Sequence, residues 1–136
     1  MTTYEGGCLC GQVRYRINGP FHQFHLCHCS RCQRFSGTAH GANLIAAADA
    51  LEWLEGEDQV RRFDLPGAKS FARAFCVLCG SMVPHEKRDG SGVIVPAGGL
   101  DNAPDIDPND HIFYADRADW YDAGQGAKTY DGPPGA

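Results

Sequence analysis

Seven cysteines in three tight groups constrain this chain more than any other feature: Cys8-x-Cys10, Cys27-x-Cys29-x-x-Cys32 and Cys76-x-x-Cys79. An odd number cannot be consumed entirely by internal disulfides. Thiols at such short spacings in a reducing compartment more often hold a metal than one another. Zinc is the expected ion, because it takes a tetrahedron of soft or borderline ligands and imposes no d-electron geometry of its own. The Cys76-x-x-Cys79-Gly80 segment has the knuckle spacing that turns two thiolates toward one ion, with a glycine to permit the tight turn. A closed structural site needs four ligands, and Cys8-x-Cys10, itself set between glycines, is the natural complement.

That pairing leaves Cys27, Cys29 and Cys32 as a set. Three protein ligands with one open position is the arrangement of a catalytic rather than a structural zinc. The charge balance has the same direction. Four thiolates around a dication form an electron-rich, unreactive centre, whereas three leave room for water or a substrate thiol. Two zinc ions per chain are therefore expected, with Cys27, Cys29 and Cys32 as the catalytic ligands. Against metal stands thiol redox chemistry at the triple cluster, or plain buried thiols. His28, between two of the sulfurs, competes as a fourth ligand, although the spacing already supplies three. His22, His25, His40, His85 and His111 read as core or surface residues.

Substrate contacts can be assigned from proximity to the open cluster. Ser30, Arg31 and Arg34 are the candidates, with Gln33 and Ser36 nearby. A guanidinium suits bidentate recognition of a carboxylate, and a solvated surface role is the alternative for each arginine. Asp116, Asp119, Trp120 and Tyr121 are candidates for a second wall, with Trp120 equally suited to a core position.

The rest of the chain reads as many short strands. Val13, Tyr15 and Ile17 alternate with polar residues, which predicts a strand with one buried face. Further strands are expected over Phe21–Leu26, Thr38–Ile45, Gln59–Phe63, Val93–Val95 and His111–Tyr114, with one helical turn over Ser30–Phe35 capped by Ser30. Asp49–Trp53 is ambiguous between helix and strand. The 17 glycines and 8 prolines favour turns over long helices, and 43% hydrophobic residues suffice for a core. A mainly β fold follows, as one domain over residues 1–136 with the tail 124–136 extended or flexible.

A net charge of −5 argues against nucleic acid as the main partner. The longest apolar run, Leu44 to Ala48, is too short to cross a bilayer. No apolar leader follows Met1, so a cytoplasmic protein is expected. The oligomeric state has no signature in the sequence.

The order Gly7-Cys8-Leu9-Cys10-Gly11-Gln12-Val13-Arg14-Tyr15, then Cys27-His28-Cys29-Ser30-Arg31-Cys32-Gln33-Arg34-Phe35-Ser36-Gly37, then Phe75-Cys76-Val77-Leu78-Cys79-Gly80-Ser81 resembles the glutathione-dependent formaldehyde-activating enzyme family, also called the centromere protein V family. The likeness extends to His111-Ile112-Phe113, Asp119-Trp120-Tyr121 and Tyr130-Asp131-Gly132. It implies stacked small antiparallel sheets around zinc, a fold shared with a zinc-containing Rab-exchange and chaperone protein. It implies a structural zinc on Cys8, Cys10, Cys76 and Cys79, and a catalytic zinc on Cys27, Cys29 and Cys32. The implied reaction adds the glutathione thiol to formaldehyde, giving S-(hydroxymethyl)glutathione, and is classed with the carbon–sulfur lyases. The alternatives are a non-catalytic zinc module for a protein partner and a thiol redox or metal-handling protein.

Overall fold

The computed structural model describes residues 2–135, so Met1 and Ala136, the two ends of the expected 1–136 unit, lie outside the described residues. Among the described residues, eleven short strands make three small sheets. The first joins β1 (Thr3–Gly7), β2 (Arg14–Asn18) and β5 (Leu51–Glu55), with β2 central. The largest takes β3 (Phe21–Cys27), β4 (Gly41–Ala46), β9 (His85–Glu86), β10 (Val93–Pro96) and β11 (Asp110–Ile112), in the order β11-β3-β4-β10-β9. The third contains β6 (Val60–Asp64), β7 (Ala72–Cys76) and β8 (Met82–Val83). Neighbouring strands are antiparallel except β11, which runs parallel to β3 after the long proline-containing loop that follows β10.

The alternation in β2 does what its period demands, with Tyr15 and Ile17 buried and their neighbours turned outward. Around them Leu44, Val93 and Val95 from the central sheet and Ala74, Cys76 and Val83 from the third close one shared apolar core. Five-residue strands have little stability alone, so each sheet depends on burying a face against the other two.

Several local expectations change in the folded chain. β1 has no alternating apolar signal, because Tyr4 is its one large buried side chain. Its glycines permit close approach: a Cβ on Gly6 would stand 2.4 Å from the Gly99 carbonyl and 2.8 Å from the Tyr15 hydroxyl. Asp49–Trp53 resolves into the strand β5. The strand expected from Thr38 begins at Gly41, since Ser36 and Thr38 hydrogen-bond one another and Thr38 Oγ1 donates to the His40 carbonyl. The helix α1 spans Ser30–Ser36, but its N-cap is Cys29 rather than Ser30. The strand expected over His111–Tyr114 stops at Ile112, where Phe113 takes a left-handed conformation with φ of 52°. A second short helix, α2 (Tyr121–Gln125), carries no helical period and was not expected; it takes in the start of the tail, and the described residues beyond it are exposed. No helix among the described residues is long and apolar enough to cross a membrane.

The topology brings the thiols together. β1 ends one residue before Cys8, β3 ends on Cys27 and feeds α1, and β7 ends on Cys76.

Candidate metal centres

Two clusters of sulfur donors form. The Sγ atoms of Cys8, Cys10, Cys76 and Cys79 all lie within 4.8 Å of one another. Cys8 and Cys10 are 3.5 Å apart and Cys10 and Cys76 3.9 Å apart. Four sulfurs at about 2.3 Å from a tetrahedral zinc would be separated by about 3.8 Å, so the donor set fits the ion. Each knuckle is fixed by its own backbone. The Cys8 N–H donates to the Val13 carbonyl and the Gly11 N–H to the Cys8 carbonyl, while the Gly80 N–H donates to the Cys76 carbonyl at 2.7 Å. Gly80 accepts the left-handed turn this requires, with φ of 77°.

Ser81 ties the two knuckles together. The Leu9 N–H donates to its Oγ at 3.0 Å, and the same oxygen lies 3.2 Å from Cys79 Sγ. That hydroxyl, with backbone amides, holds the Cys79 thiol down to about 5. The Val13 N–H donates to Cys8 Sγ at 3.3 Å. Thiolates are the ligand form, and these donors stabilise it.

The second cluster holds Cys27, Cys29 and Cys32, again within 4.8 Å of one another, and no fourth His, Cys, Asp or Glu joins it among the described residues. The helix start builds it. Cys29 sits in an extended conformation ahead of α1, and its sulfur accepts the Cys32 N–H at 3.3 Å. An N-cap acceptor satisfies a helix-end amide, so the Cys-x-x-Cys spacing of Cys29 and Cys32 is also capping geometry. Cys27 and Cys32 are buried and Cys29 is half-buried. The hydrogen bond from Cys32 holds the Cys27 thiol down to about 5 against its burial, while giving that bond and burial itself push Cys32 up.

Arg73 lies directly behind the cluster. It is 5% exposed, and its Nη2–H donates to Cys32 Sγ at 3.1 Å. Its Nη1–H donates to the Ala72 carbonyl at 2.7 Å, and the guanidinium carbon stands 4.4 Å from the centre of the Phe71 ring. Sequence proximity could not nominate a residue 41 positions from its sulfur partner. The available signal was a single cation between Phe71 and Phe75, just ahead of Cys76.

The three cysteines open into a cavity of about 490 Å³. Ser30 and Arg31 line it, joined by Asn43, Lys69, Phe71 and Phe113 from distant segments. Arg34 and Trp120 do not line it. Arg34 stands two residues past the buried Cys32, about 200° around the helix, and is exposed. Trp120 is 60% exposed at the start of α2. A second cavity, of about 470 Å³, lies between the Cys8 turn and His40, and none of the three open-cluster sulfurs lines it.

His28 is fully buried, with its ring turned into a cluster of His40, His111, Tyr114 and Tyr121. Its Nε2 lies 2.9 Å from His111 Nδ1, and it does not join the thiol group. His25 pairs with Asp110 at 2.6 Å, and burial pushes the His85 imidazole down to about 3.

A family model described as glutathione-dependent formaldehyde-activating enzyme matches residues 3–116. A curated Halomonas elongata protein, named provisionally for that activity, is 35% identical over 81 residues, 57% of this chain and 52% of that protein. The chain thus spans about half the length of this curated relative. The crystal structure of a Rhodobacter sphaeroides protein shares the fold, with a TM-score of 0.58 and 22% identity, over 79% of this chain and 98% of that one.

Proposed function

Because the chain belongs to the glutathione-dependent formaldehyde-activating enzyme family, we propose that it joins a thiol to an aldehyde in the cavity of Cys27, Cys29 and Cys32, with glutathione and formaldehyde as the leading pair. The observation that carries this reading is the contrast between the two clusters: one supplies four sulfur donors, the other three at the wall of a cavity. The first is the structural zinc site in this account, and the second the catalytic one. A zinc ion at the second would lower a thiol's pKa and polarise a carbonyl oxygen.

The reaction forms one carbon–sulfur bond. The thiol sulfur adds to the carbonyl carbon, the π pair moves to oxygen, and the proton lost from sulfur ends on that oxygen. Nothing is oxidised or reduced, and the reverse step is a carbon–sulfur lyase reaction. A free thiol of pKa about 8.5 is about 3% thiolate at pH 7, so full deprotonation raises the nucleophile about thirtyfold. Further acceleration comes from holding the partners together. In this reading Ser30, Arg31 and Lys69 meet the polar ends of the thiol substrate, the two cations suiting carboxylates. Phe71, Ile94 and Phe113 supply the apolar wall that limits water. Phe113 keeps a left-handed backbone that costs about 1–3 kcal/mol, a strain of the kind tolerated at functional sites.

The test is exchange NMR of ¹³C-formaldehyde with glutathione, which reads adduct formation and breakdown at equilibrium. The wild type should accelerate exchange over the thiol alone, and Cys29→Ser should return it to background. No acceleration with glutathione or with a panel of other thiols would refute the reading. A second reading, a zinc module that docks on a protein, rests on Leu9 and Leu78, which are 89% and 60% exposed at the tips of the closed knuckles. Full exchange activity in a Leu9→Ser, Leu78→Ser double variant would show that catalysis is independent of that surface.

A further inference from the structure

The two sulfur clusters differ in more than ligand number. A buried arginine is rare unless its charge is matched, because desolvating it costs several kcal/mol. Among the described residues no aspartate or glutamate pairs with Arg73. Its partners are a backbone carbonyl, an aromatic face and Cys32 Sγ. The anionic matter that offsets it is therefore the thiolate cluster. The other cluster has no such companion: its sulfurs meet the Val13 N–H, the Ser81 hydroxyl and one another, and no cation is among those partners.

Resting on the catalytic assignment above, we propose that Arg73 is the positioning residue that sets the charge of the three-thiolate site, so that the site accepts an anionic fourth ligand. Four thiolates and a dication sum to −2. Three thiolates, a dication and Arg73 sum to zero, and an incoming thiolate brings the total only to −1. Without Arg73 the same ligand would build the −2 charge of the closed centre beside the buried Cys27 and Cys32. The guanidinium is fixed for this role by three restraints at once, the Ala72 carbonyl, the Phe71 ring and the Cys32 sulfur. It acts through Cys32 and lines the same cavity as the three sulfurs, so its field also falls on whatever enters.

The test uses the full chain loaded with cobalt(II), whose sulfur-to-metal charge-transfer and ligand-field bands report each site. Wild type, Arg73→Met and Arg73→Lys are titrated with 2-mercaptoethanol, an anionic ligand once bound, and with imidazole, a neutral one. Chelator competition gives the affinity of the second metal. Arg73→Met should retain the four-sulfur cobalt and bind the second about 10–100-fold more weakly, the usual effect of removing an outer-shell partner. Its preference for thiol over imidazole should fall about tenfold or more, and Arg73→Lys should restore that preference. Equal weakening of both ligands in Arg73→Met would mean that Arg73 only shapes the site, and would overturn the proposal. Should Arg73→Met not fold, loss of the thiol preference in Arg73→Lys would overturn it. A wild type that binds one cobalt would instead refute the catalytic assignment on which it rests.

Discussion

Replacing Cys76 by serine removes one of four donors from the centre that joins the first and third sheets. Cys76 is fully buried at the end of β7, its amide donates to the Ser81 carbonyl, and its own carbonyl accepts the Gly80 N–H. A serine hydroxyl does not replace a thiolate as a zinc ligand at neutral pH, and three remaining sulfurs would be left without closure. Structural zinc sites contribute an apparent ~10–16 kcal/mol to folding at pH 7. Whole domains are stable by ~5–15 kcal/mol. A buried oxygen without a partner costs a further ~1–3 kcal/mol. The loss is thus as large as the stability available, and Cys76→Ser should not give a cooperative fold. The assay is urea unfolding by circular dichroism and tryptophan fluorescence at pH 7 with equimolar zinc. A cooperative transition near the wild-type midpoint would refute the claim that this cluster is structural. Cys29→Ser, at the edge of the cavity, should keep a cooperative transition.

Two further outcomes follow from the geometry. His85 titrates at about 3 in the fold against 6.5 in an unfolded chain, so the folded state holds it neutral. Between pH 6.5 and 3 the unfolded chain binds the extra proton, and stability falls with falling pH by up to about 1.4 kcal/mol per unit. His85→Phe should flatten that part of the profile, read as the difference between wild-type and variant unfolding curves. Parallel profiles would show that His85 carries no such linkage. Gly56→Ala should cost about 2–3 kcal/mol or more, because φ is 75° and an added Cβ would fall 2.0 Å from the Gln12 carbonyl oxygen. An unchanged denaturation midpoint would contradict it.

The sulfur clusters were legible in the sequence because zinc ligation imposes its own short-range spacing. Cys76 and Cys79 need only one turn, and so do Cys29 and Cys32. The β2 strand was legible for a similar reason, since Tyr15 and Ile17 carry their burial in a local period. What was not legible depends on distant contacts. Arg73 meets Cys32 only because the tertiary fold brings its β7 side chain within reach of the first turn of α1, and Lys69 and Phe113 reach the cavity from separate loops. β1 has too few apolar residues to announce itself and exists because β2 supplies its partner. Arg34 was nominated by nearness in sequence, which helix rotation does not respect, and Trp120 as part of a second wall, whereas it stands 60% exposed at the start of α2. The Ser30 cap was displaced by Cys29, whose sulfur serves the helix end and the thiol cluster together.

The central claim is that the chain holds two distinct metal centres, one closed and one open. Zinc content per chain, measured on protein purified without added metal or chelator, tests it most directly in wild type and Cys29→Ser. The account requires two zincs in the wild type and one in the variant, with the fold retained. One zinc in both would contradict it, leaving Cys27, Cys29 and Cys32 as a thiol cluster without metal.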